Sequence, residues 1–126
     1  MTEENKTSNT GAEFIADSVQ GLGIDHVFFV DAVLRETLVD LEKRGIKRIL
    51  AHSEKSAAYM ADGFARATGK LGICMAQSVG AANLAAGLQD AYLNRTPVLA
   101  ITGKKDAMHQ YRNSYQEAPT RHCMNR

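Results

Sequence analysis

Four short runs rich in β-branched, aromatic and aliphatic residues, at 26–30, 46–51, 71–76 and 97–101, are separated by longer stretches whose apolar residues return every three or four positions. The first period marks strands and the second marks helices. Short apolar strands separated by helices are the pattern of a parallel sheet covered on both faces and joined by right-handed crossovers. The expected fold class is therefore α/β, an open parallel sheet with helices on both faces.

Local signals set the limits of each element. Phe14, Ile15, Val19 and Leu22 keep helical spacing up to the break at Gly21 and Gly23. Asp31 stands where an N-cap would open a second helix with Val33, Leu34, Leu38 and Leu41 inward, and Gly45 would close it. Ser53 is the expected cap of a third helix running to Thr68, with Gly69 as its stop. A fourth helix is expected from near Ser78 through Leu84, Leu88 and Ala91 to about Leu93. From Gly103 onward no period holds.

A chain of 126 residues is about one domain long. The expected organisation is a disordered segment over 1–10, a domain over 11–103 and an irregular tail over 104–126. A formal charge of +1, with Lys and Arg scattered among acids, gives no field to draw in nucleic acid or an anionic membrane. No apolar run reaches the roughly 18 residues needed to cross a bilayer, and the polar first ten residues lack a signal-peptide core, so a cytoplasmic location is expected. Cys74 and Cys123 are too few for a disulfide framework. His109, His122 and Cys123 lack a recognised ligand spacing, and no metal site is expected in this chain.

In open parallel sheets ligands sit at the carboxyl ends of the strands, which singles out Asp31 and Ala32, His52 to Glu54, Gln77 to Gly80, and Thr102 to Lys105. Glu54 shares a helix face with Ala57, Ala58, Ala61, Phe64, Ala65 and Thr68, the face that should pack on the sheet. A carboxylate there needs a hydrogen-bond partner or a proton. The alternative is a residue that only complements the helix dipole. Gln77-Ser78-Val79-Gly80-Ala81-Ala82-Asn83 puts small residues at a strand-to-helix turn, suited to the close approach of a ligand or of another backbone. Gly63 to Lys70 has the wrong spacing for a phosphate loop, and no glycine fingerprint for a dinucleotide follows the first strand. Asp62 and Arg66, four apart, are placed to form a supporting pair, which is structural by default.

The stretch from Glu54 to Gly69, EKSAAYMADGFARATG, resembles the segment that follows the glutamate of acetolactate-synthase-like thiamine-diphosphate enzymes. The resemblance continues through Gln77 to Asn83, Gly87 to Tyr92, Thr96 to Gly103 and Tyr115-Gln116-Glu117. It implies a pyrimidine-binding domain of the thiamine-diphosphate fold. In that family the glutamate hydrogen-bonds a ring nitrogen of the cofactor's aminopyrimidine and thereby governs removal of the proton on the thiazolium carbon. Carried over, Glu54 is catalytic, Glu54, Gln77, Ser78, Gly80 and Asn83 bind thiamine diphosphate, and Asp31, Ala32 and Gln116 face a small 2-oxo acid. Val30-Asp31 replaces the family's Pro-Gly turn, Ser53 stands where a histidine is frequent, and Val79 replaces a glycine.

No Gly-Asp-Gly motif with an Asn some thirty residues later is present. Magnesium is thus expected to arrive through a diphosphate-binding domain of the same or another chain, with FAD a further possibility in the intact protein. A last sheet strand is expected to be missing. The resemblance implies the N-terminal part of a homo-oligomeric enzyme that decarboxylates and joins 2-oxo acids. Two alternatives stand beside it: the pyrimidine-binding subunit of a two-chain 2-oxo-acid decarboxylase, and a noncatalytic remnant that binds a partner chain. Under all three the chain alone is expected to be inactive.

Overall fold

The computed structural model describes residues 10–31 and 34–117, built as α1 (Gly11–Gly21), β1 (His26–Phe29), α2 (Arg35–Lys43), β2 (Lys47–Leu50), α3 (Glu54–Thr68), β3 (Gly72–Ala76), α4 (Gly80–Leu93), β4 (Val98–Thr102) and a 3-10 turn at Ala107–His109. No fifth strand occurs among the described residues. The expected alternation is present throughout.

The helix ends follow from their capping chemistry. Thr10 opens α1 with a capping box: its hydroxyl accepts from the Glu13 backbone N–H at 3.2 Å, and its own N–H donates to the Glu13 carboxylate at 2.8 Å. Ser53 caps α3 by accepting from the Ser56 N–H at 3.2 Å. Gly69, at φ +69°, ends α3 in the left-handed conformation that costs glycine nothing. Two expected starts move. Asp31 does not cap α2; its carboxylate pairs with Arg35 at 3.5 Å, and α2 begins after Leu34 with no side-chain cap. Likewise α4 begins at Gly80, two residues beyond Ser78, whose hydroxyl is engaged elsewhere.

All four strands are parallel, in the order β2-β1-β3-β4. The β1–β2 ladder runs from His26↔Lys47 to Phe29↔Leu50, whereas β1 and β3 pair only at Phe28↔Cys74 and Phe29↔Met75. The chain crosses to one side after β1 and to the other after β3, so the switch point falls between these two strands. Their carboxyl ends diverge there into a crevice.

Side-chain alternation divides the core into two layers. Val27, Ile73 and Met75 face α1 and α2 and pack with Ala16, Val19, Leu38 and Leu41. Phe28, Cys74 and Ala76 face α3 and α4 and pack with Ala57, Ala58, Ala61 and Leu84. All of β3 is buried, as expected of a central strand. The outer strands are not: Leu50 of β2 and Leu99 of β4 are exposed, because both strands are edges. Leu99 lies beside Ile73 in register, on the α1/α2 face, and is 42% exposed. Phe14 and Leu22 are also exposed, and Ala16 and Val19 carry the buried stripe of α1 in their place.

The α3/α4 layer is held by small residues. A Cβ at Gly72 would overlap the Ala61 carbonyl group, and one at Gly87 would lie 2.7 Å from the Ala58 Cβ and from the Lys55 carbonyl oxygen. Helix α3 therefore rests on both β3 and α4 at backbone distance. Asp62, buried on this helix, is paired in two contacts of 2.9 and 3.0 Å with Arg66.

Candidate functional site

The crevice at the switch point is a shallow depression lined by Phe29, Val30, Leu34, Leu38, Met75, Ala76 and Gln77, with a volume of about 10 Å³. That is room for about one water molecule, far short of a complete small-molecule site, and it offers one apolar wall. Gln77 supplies its polar group. Asp31, paired with Arg35, stands at the carboxyl end of β1 on the same rim. Ala32 lies outside the described residues.

At the same carboxyl edge of the sheet, on the α3/α4 side, the first turns of α3 and α4 bring three residues together. Glu54, the first residue of α3, is half-buried. The Asn83 side-chain amide donates to Glu54 Oε2 at 3.1 Å. Gly80, the first residue of α4, is buried beneath the same carboxylate: a Cβ there would come within 2.7 Å of Glu54 Oε1, 3.0 Å of its Cγ and 3.2 Å of the Ala76 Cβ. The carboxylate thus occupies the space that a side chain at position 80 would fill. It also lies at the N-terminal ends of two helices, whose free N–H groups favour a negative charge.

Ser78 and Gln116 form a second contact. The buried Ser78 hydroxyl donates to the Gln116 backbone carbonyl, which ties the segment after β4 to the start of α4. The Gln116 side-chain amide donates to the Tyr115 hydroxyl at 3.1 Å. Of the residues carried over as cofactor-binding, Glu54, Gly80 and Asn83 lie together. Ser78 and Gln116 meet each other instead, with the Ser78 hydroxyl committed to the backbone.

Glu117 organises this segment, a role that sequence reasoning missed. Its carboxylate accepts from the backbone N–H groups of Tyr111, Arg112 and Ser114. The Tyr111 and Ser114 N–H groups lead the causes that hold its carboxyl below the ordinary glutamate value of 4.5. A group whose folded pKa is depressed stabilises its structure fully above the unfolded pKa and loses that effect as pH falls through the folded one. Protection of the Tyr111, Arg112 and Ser114 amides against hydrogen exchange should accordingly be constant above about pH 5 and fall once the pH drops below 4.5. Equal protection at pH 3 and pH 6 would refute this.

Among the described residues, no group of three or more His, Cys, Asp or Glu side chains could hold a metal ion, and no helix is long and apolar enough to cross a membrane. Burial pushes the Cys74 thiol up to about 12, which leaves it a core residue with no nucleophilic use.

Four parallel strands in this order, with helices on both faces and a crevice at the switch point, define an open α/β domain. Residues 9–123 match the family of the thiamine pyrophosphate enzyme, N-terminal TPP binding domain, and the chain belongs to that family. It is 44% identical over 101 residues to the acetolactate synthase of Arthrospira platensis, covering 75% of this chain and 17% of that protein. It is 38% identical over 109 residues to the acetolactate synthase isozyme 2 large subunit of Escherichia coli K12, covering 85% and 20%. A third relative, the acetolactate synthase of Bacillus subtilis, is 38% identical over 106 residues, covering 81% and 19%. The chain spans about a fifth of the length of these relatives.

Proposed function

We propose that this domain forms the aminopyrimidine side of a thiamine diphosphate site in an acetolactate-synthase-like enzyme that decarboxylates 2-oxo acids and joins the product to a second carbonyl. The observation that carries the reading is the Glu54 carboxylate, set at the sheet's carboxyl edge in a cradle that exists because position 80 has no side chain. An aminopyrimidine presents flat apolar faces and an edge of ring nitrogens. An apolar wall at the carboxyl ends of β1 and β3 would suit the flat faces, and Glu54, at the same edge of the sheet, would be the charged group that an edge nitrogen pairs with.

When bound, thiamine diphosphate supplies a nucleophilic carbon and an electron sink for the reaction. The part of this chain is narrower. Glu54 would hold a proton against a ring nitrogen and so set the basicity of the neighbouring amino group. Gln77, Ser78, Gly80 and Asn83 would shape the cleft, while Asp31, Ala32 and Gln116 would border the 2-oxo acid. Water exclusion and magnesium would come from a diphosphate-binding domain of the same or another chain, in a homo-oligomer that also leaves room for FAD. The domain proper would end near residue 103, with the following segment strapped back by Ser78.

The test is to combine the chain with a diphosphate-binding domain, titrate thiamine diphosphate and magnesium by calorimetry, and follow exchange of the thiazolium proton. Binding with accelerated exchange is expected, and no binding would favour a noncatalytic partner-binding remnant. A further variant separates fold from site. Gly80→Ala should keep stability within about 2 kcal/mol of the parent, since alanine is favoured in a helix and the nearest group it displaces is a flexible side chain, while the Ala76 Cβ at 3.2 Å must yield slightly. The same variant should lose the accelerated exchange, because Glu54 is pushed out of its cradle. Full exchange in Gly80→Ala would contradict the cradle's role.

A further inference from the structure

Asn83 faces solvent in the first turn of α4, where water would satisfy its amide at no cost, yet it donates to Glu54 Oε2 from a different helix at 3.1 Å. Gly80, three residues earlier and so on the same face of α4, receives Oε1. One helix face thus addresses the two carboxylate oxygens differently. The amide clamps one of them, and the bare backbone passes close to the other.

A glutamate has three side-chain torsions, and a half-buried one without a fixed partner samples several of them. We infer that Asn83 is a positioning residue: by fixing Oε2 it holds the Glu54 carboxylate in one orientation and leaves Oε1 as the oxygen that meets a nitrogen heterocycle. This rests on the proposed role of Glu54, and it assigns Asn83 a contact with the glutamate in place of the ligand.

Two measurements test it. In the chain alone, the Asn83 side-chain amide resonance should move upfield in Glu54→Ala, as expected when a charged acceptor is removed. An unmoved resonance would show that the contact is absent in solution and would overturn the inference without any cofactor present. In the assembly with a diphosphate-binding domain, Asn83→Ala should slow thiazolium-proton exchange roughly tenfold or more, the scale of one hydrogen bond to a charged group. The Kd for thiamine diphosphate should change by a smaller factor than the exchange rate does. Added to Glu54→Gln, the same change should produce no further slowing, because both substitutions interrupt one chain of contacts. Independent, additive losses would mark Asn83 as merely structural and sink the inference. A normal loss in Glu54→Gln with no effect of Asn83→Ala would sink it alone, whereas an exchange rate in Glu54→Gln equal to that of the parent would remove the cofactor reading and this inference with it.

Discussion

In Glu54→Gln, thiamine diphosphate should still bind in the assembled site while exchange of its thiazolium proton slows by roughly 10²–10⁴-fold, the usual contribution of a positioned acid or base. The substitution keeps the shape, the Asn83 contact through the remaining carbonyl oxygen, and the Gly80 cradle. Only the ability to share a proton is lost. Calorimetry and proton exchange on the same sample separate the two effects. Equal exchange in both proteins would mean that Glu54 serves only the dipole of α3.

The second large effect is on the fold. Gly72→Ala should destabilise the chain by about 3 kcal/mol or more, at the upper end of what overpacking costs in a close-packed interior. A Cβ there would lie 2.8 Å from the Ala61 carbonyl carbon and 3.2 Å from its Cα, so the obstacle is backbone and cannot rotate away. Helix α3 would have to lift from β3, and it carries Glu54 with it. Urea denaturation should show the loss as a lower midpoint at unchanged slope. A midpoint equal to that of the parent would mean that α3 sits farther from the sheet than described.

Much of this arrangement is legible in the sequence because its signals are local. Ser53 and Gly69 bracket α3 through the geometry of a cap and of a left-handed residue, and neither depends on what packs nearby. Glu54 stands out for a similar reason, since a helix face of alanines has no ordinary use for a carboxylate. The misjudged features are those set by strand order. Leu50 and Leu99 read like core residues, and only the placement of β2 and β4 at the two edges exposes them. Asp31 has the chemistry of a cap but is engaged by Arg35. The link between Glu54 and Asn83 spans 29 positions and exists because α3 and α4 lie side by side, which no periodicity reveals. Gly72 gave a signal that went unused: a lone glycine within a strand marks the close approach of another backbone.

The two layers of the core differ in how much they can drift. On the α1/α2 side the contacts are made by Val27, Leu38, Leu41, Ile73 and Met75, branched or flexible chains that can exchange volume with their neighbours as substitutions accumulate. On the α3/α4 side, Gly72 lies against the Ala61 backbone and Gly87 against the Ala58 Cβ and the Lys55 carbonyl, and neither position has room for a side chain. The α1/α2 layer can therefore take up substitutions by repacking, whereas Gly72 and Gly87 hold the α3/α4 layer to one spacing. The α3/α4 layer holds the carboxylate, so lineages could diverge widely in sequence without moving it.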